Sequence, residues 1–124
     1  MKNLQLSLKR NWFEMTKAGI KTEDYREVTP YWCNRLLLYR GIKRSREFWE
    51  GRLQFFKGNT TISGNVTTCD FDQNIMTDGY PKMNDFERIL KLEHEGIEIG
   101  TGNPEWGAEQ GKLYFVIKHG NIIL

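Results

Sequence analysis

Eight consecutive residues, Gly19-Ile20-Lys21-Thr22-Glu23-Asp24-Tyr25-Arg26, concentrate a lysine, two carboxylates, a hydroxyl, a phenol and an arginine. Successive side chains of a strand point to opposite faces, so an extended segment beginning near Asp24 sends Asp24 and Arg26 to one face and Tyr25 to the other. Lys21 then arches over the start of the strand. In that arrangement Lys21 and Arg26 hold an anion or polarise a carbonyl, while Asp24 orients one of them or a water. The plainer alternative is a surface ion-pair network, of the kind worth about 0–1 kcal/mol per pair.

Two further stretches carry chemistry. In Gly100-Thr101-Gly102-Asn103-Pro104-Glu105-Trp106-Gly107 the close glycines let backbone N–H groups approach a ligand, Thr101 and Asn103 add donors, and Trp106 offers a stacking face. The stretch lacks the lysine of a P-loop, so it is no triphosphate motif, and its alternative is a tight loop between two strands with Trp106 as a buried cover. The basic run Arg35, Arg40, Lys43, Arg44, Arg46, Arg52 and Lys57 is interrupted only by Glu47 and Glu50 and is interleaved with Tyr39, Phe48 and Trp49. Cations neutralise phosphates and aromatic faces stack on bases, so this mixture suits a polyanion. Its alternative is a solvated loop whose charges balance acidic strands elsewhere. His94 and His119 have no cysteine or carboxylate at ligand spacing, so neither a metal nor any other cofactor is expected. Neither Cys33 nor Cys69 stands in a context that marks a nucleophile.

These groups must be positioned by a small frame. A chain of 124 residues has room for one core, which predicts a single domain over 1–124. Hydrophobic residues at 39% and charged residues at 27%, with no apolar run near the roughly 20 residues of a membrane span, predict a soluble protein without a membrane partner. Residues 1–8 alternate instead of forming the apolar stretch of a secretory signal, and two cysteines are too few for a disulfide framework. A cytoplasmic location with buried thiols follows as the expectation, and the Asn-x-Thr triplets at Asn59 and Asn65 carry no weight as glycosylation sites. The net charge of +2 conceals a polarity: residues 1–62 hold 13 Lys/Arg against 6 Asp/Glu, and residues 63–124 hold 5 against 10.

Leu4, Leu6 and Leu8 have the period of a half-buried strand. Lys9 to Ala18 reads as a short helix, with Ser7 as its cap and Gly19 as the left-handed residue after its last turn. Asp24 to Val28 reads as extended. Thr29-Pro30 begins a second helix, carried on by Tyr31, Trp32, Arg35, Leu36, Leu38 and Tyr39 until Gly41. Residues 41–64 read as loop-rich, with Ser45 capping a helical turn that carries Phe48 and Trp49. Thr60 to Phe71 reads as strand and Asp78-Gly79 with Pro81 as a turn. Phe86 to His94 is ambiguous between helix and strand, Gly96 and the alternation Ile97, Ile99 favour strands with a bulge at the glycine, and Leu113 to Ile117 reads as a central strand. The total is α+β: about five or six short strands curling into a small barrel, with two or three short helices.

The strand, the aromatic-bearing helix and then Gly19-x-Lys21-x-x-Asp24-x-Arg26 resemble the ASCH domain family, whose signature is a Gly-x-Lys-x-x-Glu-x-Arg segment on a PUA-like β-barrel. Glu27 to Trp32 and the stretch Gly96 to Gly107 with Tyr114 to Ile117 are similar to a small single-domain branch of it. Asp24 stands in place of the usual glutamate, one methylene shorter. The resemblance implies binding of RNA or a modified nucleotide in a cleft lined by the signature residues. One branch of the family hydrolyses the amide of acetylated cytidine with a lysine, a threonine three residues later and a glutamate on a later helix. Lys21 matches the lysine, Asp24 occupies the threonine position, and the region corresponding to the glutamate's helix reads here as strands.

The leading expectation is therefore an RNA- or modified-nucleotide-binding domain, with Lys21, Thr22, Asp24, Tyr25 and Arg26 in the cleft, Arg40, Lys43, Arg44 and Arg46 on phosphates, and Thr101, Asn103 and Trp106 assisting. Its rival is a nucleoside amidohydrolase or ribonuclease that uses Lys21 and Asp24. A third class is a protein-interaction module, motivated by Tyr31, Trp32, Tyr39, Phe48 and Trp49.

Overall fold

The computed structural model describes residues 2–56, 62 and 64–123. In chain order its elements are β1 (Asn3–Leu8), α1 (Arg10–Lys17), β2 (Glu23–Glu27), α2 (Pro30–Leu36), β3 (Leu37–Tyr39), α3 (Arg46–Glu50), β4 (Val66–Thr68), β5 (Gln73–Asp78), β6 (Ile89–Thr101) and β7 (Leu113–Ile122). Short 3₁₀ turns occupy Leu53–Phe56, Phe86–Arg88 and Pro104–Trp106. The class is the expected one: α+β, built on a curled, barrel-like sheet of five strands in the order β1-β5-β6-β7-β2, with a two-stranded β3-β4 sheet and short helices. No helix among the described residues is long and apolar enough to cross a membrane.

The chain divides into two compact units, one of Met1–Asp24, Asp70–Gly96 and Lys118–Leu124, the other of Tyr25–Cys69 and Ile97–Ile117. In the first, β1 runs parallel to β5 in the register Leu4↔Asn74 and Leu6↔Met76, and β5 runs antiparallel to β6 with Asn74 opposite Leu92. The alternation read from the sequence is the burial pattern of β1, because Leu4, Leu6 and Leu8 turn inward and share the apolar core of this unit with Phe13, Met76, Leu90 and Leu92. Gly19 takes φ +77 after α1, as its position predicts.

In the second unit, Thr29 caps α2 by accepting from the Trp32 N–H at 3.3 Å, and Ser45 caps α3 by accepting from the Phe48 N–H at 3.2 Å. Trp49, Phe56 and Phe115 pack in sequence, with ring centroids 6.2 and 6.4 Å apart, beside Cys33, Leu36 and Leu37 in the core. Gly102 is there because nothing larger fits: a Cβ on it would lie 2.6 Å from the Ala108 Cβ and 2.8 Å from the Tyr25 Cζ. Gly102→Ala is expected to cost roughly 1–3 kcal/mol, the usual range for overpacking, and to tilt the Tyr25 ring; urea unfolding measures the first and near-UV circular dichroism the second.

Four local expectations are corrected. Ser7 does not cap α1; it lies within β1 and its hydroxyl donates to the Gly79 carbonyl at 3.0 Å, while Lys9 stands at the cap position without a side-chain bond. The second helix stops at Leu36, because Leu37–Tyr39 turn extended to pair with Val66–Thr68. The strand expected over Thr60 to Phe71 is only Val66–Thr68; Thr60, Thr61 and Ser63, like Lys57 of the basic run and Asn59, lie outside the described residues. Strand β5 was not foreseen, since Gln73, Asn74, Thr77 and Asp78 are polar and the last two precede a turn. The ambiguous stretch from Ile89 on is one continuous strand, with Gly96 at φ +118 inside it.

Candidate functional site

Lys21 follows α1 and folds back over the start of β2, where its ammonium donates to the Glu23 carbonyl and to Asp24 Oδ1 at 3.1 Å. Both side chains are buried, at 1% and 8% exposure, so this is a buried ion pair and not the surface network that is the alternative reading. Burying two charges is costly unless each compensates the other, which ties the two positions together. On one side of Lys21 is a cavity of about 270 Å³, lined by Thr16, Gly19, Lys21, Thr22, Leu92, His119, Gly120, Asn121 and Ile122. Three residues of the signature segment, Gly19, Lys21 and Thr22, therefore meet at one cavity, and Asp24 stands behind Lys21 as its counter-ion instead of in the wall.

One lining residue, His119, belongs to a buried polar cluster that spacing arguments missed. Asn74 on β5 is fully buried; its Oδ1 lies 2.7 Å from His94 Nδ1 and its Nδ2 lies 2.7 Å from His119 Nδ1 and 3.2 Å from the Lys118 carbonyl. His119 Nε2 is buried with no hydrogen-bond partner among the described residues. Burial pushes the His119 imidazole down from 6.5 to about 4, with nearby Lys21 and His94 acting the same way and Asp24 opposing. Burial also lowers His94, against Asp70 and Glu95. The parity of β7 held a signal for His119: Phe115, Ile117 and His119 alternate onto one buried face once the strand is extended past Ile117.

In the second unit the basic run forms an array with the aromatic residues. The Arg44 guanidinium lies 5.5 Å from the Tyr39 ring and 5.0 Å from Phe48, Arg52 lies 3.8 Å from Phe48, Arg40 lies 5.6 Å from Tyr39, and Arg46 lies 6.0 Å from Tyr31. Arg35 lies over both Tyr31 and Trp32, and Arg26 lies 5.0 Å from Trp32. Among the described residues no carboxylate forms an ion pair with Arg40, Lys43, Arg44, Arg46 or Arg52. Lys43 is the exception to the array: its ammonium closes the C-terminal end of α2 by donating to the Asn34 and Arg35 carbonyls at 2.8 and 3.2 Å. Local chemistry made this face, because the Thr29 and Ser45 caps start the two short helices that carry Tyr31, Trp32, Arg35, Arg46 and Phe48.

The remaining candidates have structural work. Tyr25 accepts from the Asn103 N–H at 2.9 Å and packs against Tyr114 with centroids 5.8 Å apart. The Asn103 side chain accepts from the Glu105 N–H at 2.9 Å, holding the 3₁₀ turn in which Trp106 is half-buried, while Thr101 is exposed. Cys33 and Cys69 are buried and unbridged, and burial pushes the Cys33 thiol up to about 12, which removes it as a nucleophile. No three or more His, Cys, Asp or Glu side chains among the described residues are grouped to hold a metal ion. Compared with protein-family models, with curated proteins and with solved structures, the chain matches none.

Proposed function

We propose that the chain binds RNA or a nucleotide derived from it. The observation that carries this reading is the arginine–aromatic array, in which Arg40, Arg44, Arg46 and Arg52 form no ion pair with a carboxylate among the described residues and are backed by π-faces. A cation held over a ring has less freedom to lose on meeting a phosphate, and the same rings offer stacking faces to unpaired bases, each worth about 1–3 kcal/mol. The resemblance of the Gly19 to Arg26 segment to the ASCH signature points the same way. The cavity beside Lys21 is the place for a single ligand. At about 270 Å³ it lies just below the roughly 300–1,000 Å³ of drug-sized sites and suits one base-sized ring.

The test is fluorescence anisotropy of labelled single-stranded RNA, duplex RNA and single-stranded DNA at two salt concentrations. Binding should weaken with salt, with a slope of about −0.7 per phosphate contacted on a single strand. The combined variant Arg40→Gln/Arg44→Gln/Arg46→Gln should lower the magnitude of that slope by about 2 and the affinity by at least about tenfold. A flat titration at low salt with every nucleic acid would overturn the reading.

A further inference from the structure

The connection from β5 to β6 leaves large apolar side chains in water. Tyr80 and Met83 are each 93% exposed and Phe86 is 77% exposed, the three most exposed large apolar residues among those described. The loop that carries them is nevertheless held in place. At its start the Gly79 carbonyl accepts from the Thr77 and Ser7 hydroxyls at 2.8 and 3.0 Å, and the Gly79 N–H donates to the Leu8 carbonyl at 3.0 Å. At its end Arg88 donates to the Asp78 carbonyl at 2.6 Å and forms ion pairs with Asp78 and Asp85 at 4.0 and 3.7 Å. Between them the Asp85 N–H donates to the Lys82 carbonyl at 3.0 Å. A loop fixed in this way has little conformational freedom left to lose when its side chains are covered.

The composition of the loop narrows what covers them. Arg10, Asp78, Asp85 and Arg88 are taken up by one another, and the charges that remain, on Lys82 and Glu87, cancel. The loop therefore offers a phosphate no net attraction. What it offers is π-surface, since among the described residues neither the Tyr80 nor the Phe86 ring has another ring or a cation against it, whereas Tyr31, Tyr39 and Phe48 each carry arginines. Buried completely, two rings and a methionine cover roughly 500 Å², short of the roughly 800 Å² that each partner gives to a stable protein interface, a second copy of this chain included. An unpaired base needs only the face of one ring, and every base has a π-face of its own.

We infer that Tyr80 and Phe86 form a second nucleic-acid contact, stacking on unpaired bases of a single strand. The inference rests on the proposed binding of RNA and deepens it: the arginine array supplies the charge and this loop supplies uncovered rings. A duplex keeps its bases stacked on one another, so the loop favours single strands over duplex. Met83 has the same exposure and no π-face, which makes it the control for plain apolar contact.

Fluorescence anisotropy of a labelled oligoadenylate and of an abasic strand of the same length tests it on the intact protein. Tyr80→Ala/Phe86→Ala should weaken oligoadenylate binding at least about tenfold with the salt slope unchanged, and should leave binding of the abasic strand as it is. Tyr80→Trp/Phe86→Trp should restore the affinity, and Met83→Ala should keep it. The three side chains are solvent-exposed, so these variants should keep the fold, which circular dichroism checks. The inference is overturned by an oligoadenylate affinity that the alanine variant leaves unchanged while salt-sensitive binding persists, or by an equal loss on the abasic strand. An equal loss in Met83→Ala overturns it in favour of an apolar surface for a protein partner. A concentration-dependent dimer in sedimentation velocity that the alanine variant abolishes overturns it in favour of a second copy. A flat titration of the parent with every strand removes this inference together with the proposed function, whereas salt-sensitive binding indifferent to the alanine variant removes this inference alone.

Discussion

Lys21→Met should lower the unfolding free energy by about 3–5 kcal/mol, the cost of leaving a buried charge without its partner. The argument rests on burial more than on distance. Asp24 is 8% exposed at its side chain and has Lys21 Nζ 3.1 Å from its Oδ1, so removing the ammonium takes the counter-ion from a largely buried carboxylate and also strips a donor from the Glu23 carbonyl. An exposed pair of the same length would cost under about 1 kcal/mol. Urea unfolding of the parent, Lys21→Met, Asp24→Asn and the double variant gives the coupling energy directly. The double variant should recover much of the single loss, because two neutral side chains ask for no compensation. A single-variant loss below about 1 kcal/mol would contradict the buried pair. The consequence for function is practical: reduced ligand binding by a Lys21 variant counts as evidence about the site only once the variant is shown to be folded.

Stability should fall as pH drops from about 6.5 towards 4, by about 3 kcal/mol from His119 alone, since each pKa unit is worth about 1.4 kcal/mol. The folded-state value lies below the ordinary 6.5, so between the two values the unfolded chain binds a proton that the folded chain refuses, and protonation favours unfolding. The contribution is fully present above about 6.5 and disappears as pH falls to about 4. His94 is lowered by the same dominant cause and adds in the same direction. Comparing urea midpoints at pH 4.5 and 7 in the parent and in His119→Gln separates the histidine from the carboxylates, which titrate in both. The parent should lose more stability than the variant on acidification. Equal losses would mean that His119 is not held neutral by burial.

Both expectations concern residues whose neighbours were only partly visible in the chain. Lys21 and Asp24 are three apart, and that they interact follows from the spacing. The energy of the interaction differs several-fold between a solvated pair and a buried one, and burial is decided by what packs above them. Asn74, His94 and His119 are a harder case, because 20 and 45 residues separate Asn74 from the two histidines and only the strand register brings the three together. β5 escaped notice for the same reason. Its polar side chains find their partners at a distance in sequence or in the following turn, Asn74 on His94 and His119, Thr77 on the Gly79 carbonyl and Asp78 on Arg10 and Arg88, which a scan for apolar alternation does not detect.

What the amino-acid sequence determined by itself was the chemistry that acts within a few residues: the inward leucines of β1, the Thr29 and Ser45 caps, the left-handed Gly19, the α+β class and the basic-aromatic character of residues 31–52. Each depends on hydrogen bonds or side-chain alternation that close over one or two turns. The tertiary structure alone decided where the second helix stops, because pairing with Val66–Thr68 overrides the helical period of Leu38 and Tyr39. It also decided that Lys21 is buried and that His119 and His94 meet on Asn74. Those properties depend on dielectric surroundings and on partners distant in sequence, and both exist only once the strands have paired.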